Sequence, residues 1–197
     1  MRTLLTLVIL IVVSARSTSA EPVSDGDRQR LLAHLHMTEG WLTTELGGLT
    51  PAQLRYRSRP ESWTIMDVVE HLAVAEPQYW QQLRKSLDRP AVQGYKPEAT
   101  DTDILWYGID RSRRQKTGEA RVPSGKFTDV KESLAAFRTL RATMLELAKG
   151  TTEDLRGRAL VEGNMDVYQW FLMISTHAQR HVLQIREIKA HPNYPKR

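Results

Sequence analysis

The chain has 197 residues, 41% of them hydrophobic, and a formal net charge of +5; this length supports one ordinary core and predicts a single domain. It contains no cysteine, which excludes disulfides, thiolate nucleophiles, cysteine-ligated zinc, iron–sulfur clusters and a lipidated N-terminal cysteine, so any metal must be held by histidine and carboxylates. The mild positive charge does not imply nucleic-acid binding, and no nucleic-acid partner is expected.

The opening stretch MRTLLTLVILIVVSARSTSA places Arg2 ahead of an apolar run from Leu4 to Val13 and sets small residues before Ala20. That pattern predicts a cleavable signal peptide over residues 1–20, a mature domain over 21–197, and a periplasmic or secreted protein. The apolar run is about half of the roughly 20 residues that span a bilayer, so no stable membrane anchor is expected. Cleavage would take away Arg2 and Arg16 and no acid, lowering the formal charge to +3.

Four segments with helical periodicity follow. The first opens at Ser24, with Asp27 three residues on as a capping pair, and carries Leu31, Leu35, Leu42 and Leu46 on one stripe before Gly47 and Gly48 end it. The second opens at Thr64 with Asp67 as its box partner, and its stripe is Ile65, Val68, Val69, Leu72, Ala75, Tyr79 and Leu83. Pro77 falls inside it and should cost one backbone hydrogen bond and bend the helix.

The third segment starts near Thr128 and carries Val130, Leu134, Phe137, Leu140, Met144 and Leu147 before Gly150. The fourth is capped by Asp166 with Gln169, and its stripe is Val167, Trp170, Phe171, Ile174, Ala178, Ile185 and Ile188. Strand-like alternation is absent. The expected fold is all-α, a four-helix bundle. Its second and third helices are joined by about forty residues, Asp88 to Phe127, a connection long enough to allow a parallel neighbour or to form a lid.

Of the six histidines, His177 and His181 are four apart on the inward stripe of the fourth segment, and His71 sits on or beside the inward stripe of the second. Three imidazoles can therefore converge inside the bundle from two helices. Neutral imidazole is a good ligand for zinc, nickel, copper and iron, and three of them leave open positions for water or substrate. The HxxxH pair by itself reads equally as two core histidines bonded to backbone or water. The third histidine adds weight to metal, because burying three imidazoles with nothing to ligate is costly.

The remaining histidines, His34, His36 and His191, read as solvated or partly covered surface. Asp67 is explained by its capping position, Glu70 and Glu76 fall off the His71 face and read as solvated or helix-pairing, and Gln184 either bonds an imidazole or sits on the helix flank. No catalytic acid or base stands out. The stretch Asp110 to Lys126 gathers Arg111, Arg113, Arg114, Lys116, Arg121 and Lys126 in the long connection, as a solvated loop or an attractor for an anionic substrate or membrane surface. Beside it, the aromatics of Ile104 to Ile109 can cover the bundle or line a pocket mouth.

Taken in order, GGLTPAQLRYRSRPESWTIMDVVEHLAVAE, GEARVPSGKFTDVKESLAAFRTLR and HAQRHVLQIREI resemble the DinB-like superfamily over about Leu31 to Lys189. The most specific part is a Trp-Ser/Thr entry to the second helix, a histidine at its middle, and HxxxH on the fourth. The resemblance implies an up-down-down-up bundle in which His71, His177 and His181 bind a divalent metal, nickel or zinc. Trp63 and Thr64 match the family's helix entry and Arg141 a recurrent arginine on the third helix, each in a structural role. Relatives of this kind include thiol-dependent transferases and isomerases; a signal peptide departs from their cytoplasmic setting. The resulting expectation is an exported metal-dependent enzyme, a hydrolase or a thiol-type transferase acting on a small molecule. The alternative is a non-catalytic metal- or ligand-binding helical module that forms a homodimer.

Overall fold

The computed structural model describes residues 22–113, 115–161 and 163–196. The expected signal peptide, residues 1–20, lies outside the described residues. Four long helices build the bundle: α1 (Asp25–Leu46), α3 (Ile65–Leu87), α5 (Val130–Gly150) and α6 (Val167–Lys189). Two shorter ones join them, α2 (Pro51–Leu54) and α4 (Asp101–Ile109), with a single 3-10 turn at Glu119–Arg121. Among the described residues no strand forms, and an isolated bridge pairs Ala159 with Asp166.

The helix starts are written in the sequence. Thr64 and Asp67 exchange both bonds of a capping box on α3, and Asp166 and Gln169 do so on α6. Thr50 with Gln53 and Thr100 with Asp103 repeat the device on α2 and α4, satisfying backbone donors that would otherwise face no partner. On α1, Ser24 accepts from the Asp27 amide. Helix α3 continues unbroken through Pro77.

Contacts along the helices fix their directions. Tyr168 meets Arg30 at one end of the α1–α6 interface, Ser175 meets His34 further along, and Lys189 meets Glu45 at the other end, so α1 and α6 run parallel. Trp170 donates to the Tyr79 carbonyl while His177 faces His71, so α3 runs against α6. Arg28 reaches the Ala148 carbonyl and Arg138 reaches Thr43, so α5 runs against α1 and parallel to α3. The order is up, down, down, up. The long connection joins the parallel α3–α5 pair, one of the two arrangements its length allowed.

Two apolar clusters fill the bundle. One gathers Leu31, Leu35, Leu83, Met144 and Phe171; the other gathers Leu42, Ile65, Val69, Leu72, Phe137 and Val182. The third predicted stripe is rotated from expectation: Leu134, Leu140 and Leu147 are only half-buried, and Arg141 occupies the central inward position of α5. Its guanidinium makes two bonds to Glu76, at 2.8 and 2.9 Å, with both side chains fully buried. Of the two readings of Glu76, solvated or helix-pairing, the structure selects the second: it pairs α3 with α5 inside the core. Burial raises the Glu76 carboxyl to about 7 and lowers the Arg141 guanidinium, and their attraction works against both shifts.

Helix α6 is buried around nearly its whole circumference from Val167 to Val182, because α4 covers the side that α1 and α3 leave open. Gly108 makes that approach possible. A Cβ there would lie 2.8 Å from Gln179 Oε1, 2.9 Å from Thr176 Cβ and 3.2 Å from the Thr176 carbonyl. Gly108→Ala should therefore push α4 outward and destabilise the protein by about 1–2 kcal/mol despite the better helix propensity of alanine. Urea denaturation measures it, and an unchanged or increased stability contradicts the close packing. Arg180 fastens the end of α4 by donating to the carbonyls of Tyr107, Asp110 and Arg113.

Candidate metal centre

His71 enters from the middle of α3, and His177 and His181 from successive turns of α6. All three are at least nine-tenths buried. The His177 Nε2 lies 3.1 Å from His71 Nε2 and 3.2 Å from His181 Nε2. Among the described residues, this trio is the one group of metal-ligating side chains whose donor atoms draw together, all within 4.8 Å.

The other ring nitrogens explain why the Nε2 atoms face inward. His71 Nδ1 is 2.7 Å from the Arg121 carbonyl. A carbonyl only accepts, so the proton of a neutral His71 sits on Nδ1 and its Nε2 carries a lone pair. His181 Nδ1 lies 2.8 Å from Gln184 Oε1, which imposes the same tautomer. His177 Nδ1 is buried without a hydrogen-bond partner.

Two lone pairs and a third nitrogen thus point at one another. Only a proton on His177 Nε2, or a cation at their centre, makes that arrangement favourable. Nitrogens bound tetrahedrally at 2.0–2.1 Å sit about 3.3 Å apart, close to the two distances from His177 Nε2, 3.1 and 3.2 Å, with the His71–His181 pair within 4.8 Å. The residues therefore fit a divalent ion, with His71 and His181 oriented by the Arg121 carbonyl and Gln184 as metal-binding imidazoles commonly are.

Burial lowers the pKa of His71 and lowers those of His177 and His181 well below the ordinary histidine value; neighbouring imidazoles add to the fall at His177 and His181, the Arg121 charge adds to it at His71 and His177, and the bonds of His71 to the Arg121 carbonyl and of His181 to Gln184 oppose it. The neutral, ligand-competent form is favoured. In the metal-free protein the unfolded chain takes up protons below about pH 6.5 while the folded cluster does not, so these histidines contribute stability above that pH that is lost as pH falls. Zinc affinity, by contrast, should vary less than about threefold between pH 8 and 6.5, where exposed imidazoles would already be half protonated. Chelator competition across that range checks it, and a steep decline would contradict neutral buried ligands.

The cluster forms the floor of an open cavity of about 660 Å³. Trp63 packs against two of the rings, its centroid 4.9 Å from that of His71 and 6.2 Å from that of His181, and Tyr79 meets His177 edge-on at 5.2 Å. Tyr107 from α4 and the half-buried Arg111 and Arg121 from the long connection complete the wall.

This placement decides among the sequence readings. The basic connection is partly a cavity wall, and Tyr107 lines the mouth while Trp106 faces solvent. His191, read as tail surface, lines the cavity and bonds Tyr56. Glu70, read as solvated or helix-pairing, is neither: it is buried and accepts the backbone amides of Ser124, Gly125 and Lys126. The Arg121 carbonyl had no sequence signal, since every residue type supplies one.

The model of the DinB superfamily matches residues 27–185. The chain belongs to the DinB superfamily. The DinB match takes in all three histidines and all four long helices, apart from the ends of α1 and α6. The uncharacterized protein YuaE of Bacillus subtilis (strain 168) is 26% identical over 161 residues, spanning 77% of this chain and 91% of YuaE. Among solved structures, YfiT from Bacillus subtilis, described as a probable metal-dependent hydrolase with an unusual four-helix bundle topology, superposes with a TM-score of 0.58. It is 18% identical, with 87% of this chain and 90% of YfiT covered. The similarity establishes the DinB four-helix bundle fold.

Proposed function

We propose that this chain is an exported metal-dependent enzyme in which His71, His177 and His181 hold one nickel or zinc ion for hydrolysis or group transfer on a small molecule. The observation that carries this reading is the convergence of three Nε2 atoms on the floor of an open cavity. A site whose coordination sphere was closed by protein would be structural; three ligands opening onto a cavity leave room for a reacting group. The YfiT likeness supports the hydrolytic form of the reading. Export rests on the sequence pattern of residues 1–20.

A divalent ion held there supplies Lewis acidity to the substrate group it touches and acidifies a nucleophile beside it. The protein's own part is orientation and shielding. The Arg121 carbonyl and Gln184 keep two Nε2 atoms aimed inward, and Trp63 and Tyr79 cover the cluster with aromatic surface that limits water. Glu61 and Glu187 are the carboxylates that line the cavity, and neither belongs to the ligand group.

Protein purified without an affinity histidine tag should contain about one divalent ion per chain, and the His177→Ala, His181→Ala double variant should contain none. Elemental analysis of the two preparations tests the reading. A folded wild-type protein that stays empty when titrated with both nickel and zinc would sink it.

A further inference from the structure

Arg121 stands at the edge of the histidine cluster, and among the described residues its guanidinium is in no ion pair. Its carbonyl accepts from His71, while its guanidinium carbon lies 5.2 Å from the centroid of Tyr79, the ring that meets His177 edge-on. Its Nε is buried and has no hydrogen-bond partner. Two other arginines of the cavity wall are engaged elsewhere: Arg111 makes a two-pronged contact with Glu187 at 2.8 and 2.9 Å, and Arg180 holds three backbone carbonyls; the remaining cation, Lys116, is exposed on the connection outside the turn that carries Arg121. Glu187 is therefore already neutralised, and the other lining carboxylate, Glu61, is exposed at the rim.

The cation is also held in place. Glu70 is the immediate neighbour of His71 on α3, and its carboxylate takes the amides of Ser124, Gly125 and Lys126 at 2.8, 3.2 and 3.0 Å. Gln78 donates to the Ala120 carbonyl at 3.3 Å. At Gly118 an added Cβ would stand 3.1 Å from an Arg121 terminal nitrogen, so the missing side chain leaves room for the guanidinium to fold back over its own turn. Two residues of α3 thus fasten the strap that carries Arg121, and the ordering cost is met before any ligand arrives.

We propose that the cavity recognises its substrate through an oxyanion, a carboxylate or a phosphate, bound by Arg121, while the rest of the molecule reaches the three histidines. This rests on the metal-centre reading for the identity of the reacting end, and on Arg121 alone for the anchored end. A planar guanidinium matches either oxyanion with two parallel N–H donors. A divalent ion on the cavity floor would deepen the positive potential and add to the preference for an anion.

The test is calorimetric titration of benzoate, phenylphosphonate and the neutral benzamide into metal-free and zinc-loaded full-length protein. At least one of the two anions should bind both forms, more tightly with zinc, and Arg121→Gln should weaken it by about tenfold or more, as loss of a charge-assisted contact does. Benzamide should bind weakly and be insensitive to the substitution. Zinc affinity of Arg121→Gln, read by chelator competition, should be no weaker than that of wild type, because the carbonyl that orients His71 is retained and a positive charge beside the cluster is removed. The preferred anion distinguishes carboxylate from phosphate.

The proposal is overturned if neither anion binds, if benzamide binds as well as the anions, or if Arg121→Gln leaves anion affinity unchanged. Circular dichroism checks that variant, and if it fails to fold, Arg121→Lys decides, with anion affinity expected to fall for want of the planar fork and benzamide affinity unchanged. Failure to take up zinc would sink the metal reading, and the metal-free titration would still decide the anion site.

Discussion

Glu76→Ala should destabilise the protein by about 3–5 kcal/mol, because it leaves a buried guanidinium without its counter-ion. Arg141 and Glu76 are fully buried, and Arg141 Nε and one terminal nitrogen already lack partners. The guanidinium also lies over the Phe137 ring, 4.7 Å from its centroid. A domain of this size has a total stability of about 5–15 kcal/mol, so the single substitution removes a large share of it. The paired change Glu76→Leu with Arg141→Met should recover most of the loss, since apolar replacement of both partners is often close to neutral. Chemical denaturation of the three proteins measures the loss and its recovery. A Glu76→Ala protein as stable as wild type would show that the pair is not held as described.

His177→Ala should weaken zinc or nickel binding by about a thousandfold or more, because it removes one of three ligands, whereas disturbing an outer partner costs about 10–100-fold. Gln184→Leu supplies that comparison. It takes the acceptor from His181 Nδ1, 2.8 Å away, and leaves all three imidazoles in place. The ordering of the two losses is the content of the prediction. His177 stands between the other two, with both short nitrogen–nitrogen distances involving its Nε2. Equal and small effects of the two variants in chelator competition would mean that the ion, if any, sits elsewhere.

The sequence made the bundle readable because local signals agreed with global ones. Capping boxes at Thr64 and Asp166 marked two helix starts, and the apolar stripes of α1, α3 and α6 are buried apart from Tyr79, Trp170 and Ile188, which are half-buried. The stripe of α5 misled, since leucines at 134, 140 and 147 outrank an arginine on hydrophobicity alone. Arg141 takes the inward position because Glu76 meets it there, and that complementarity lies 65 residues away in the chain. Helical periodicity reads one segment at a time and has no access to such a partner.

The three histidines were legible for the same reason that α3 and α6 were, as inward positions on periodic helices. Their environment was not. The Arg121 carbonyl, the Glu70 strap and the Arg121 side chain come from the long connection between α3 and α5, whose path follows from backbone bonds to α3 side chains. The same connection contains α4, whose packing against α6 depends on the missing side chain of Gly108. Tertiary context decided these features, and no short motif carried them.

The most direct test of the metal centre is X-ray absorption spectroscopy on protein loaded with one equivalent of zinc. Three imidazole nitrogens at about 2.0–2.1 Å together with a light-atom ligand that is not imidazole are expected, and the imidazole scattering should be lost in the His177→Ala, His181→Ala double variant. Zinc bound without imidazole, or retained unchanged in that variant, would contradict a three-histidine site.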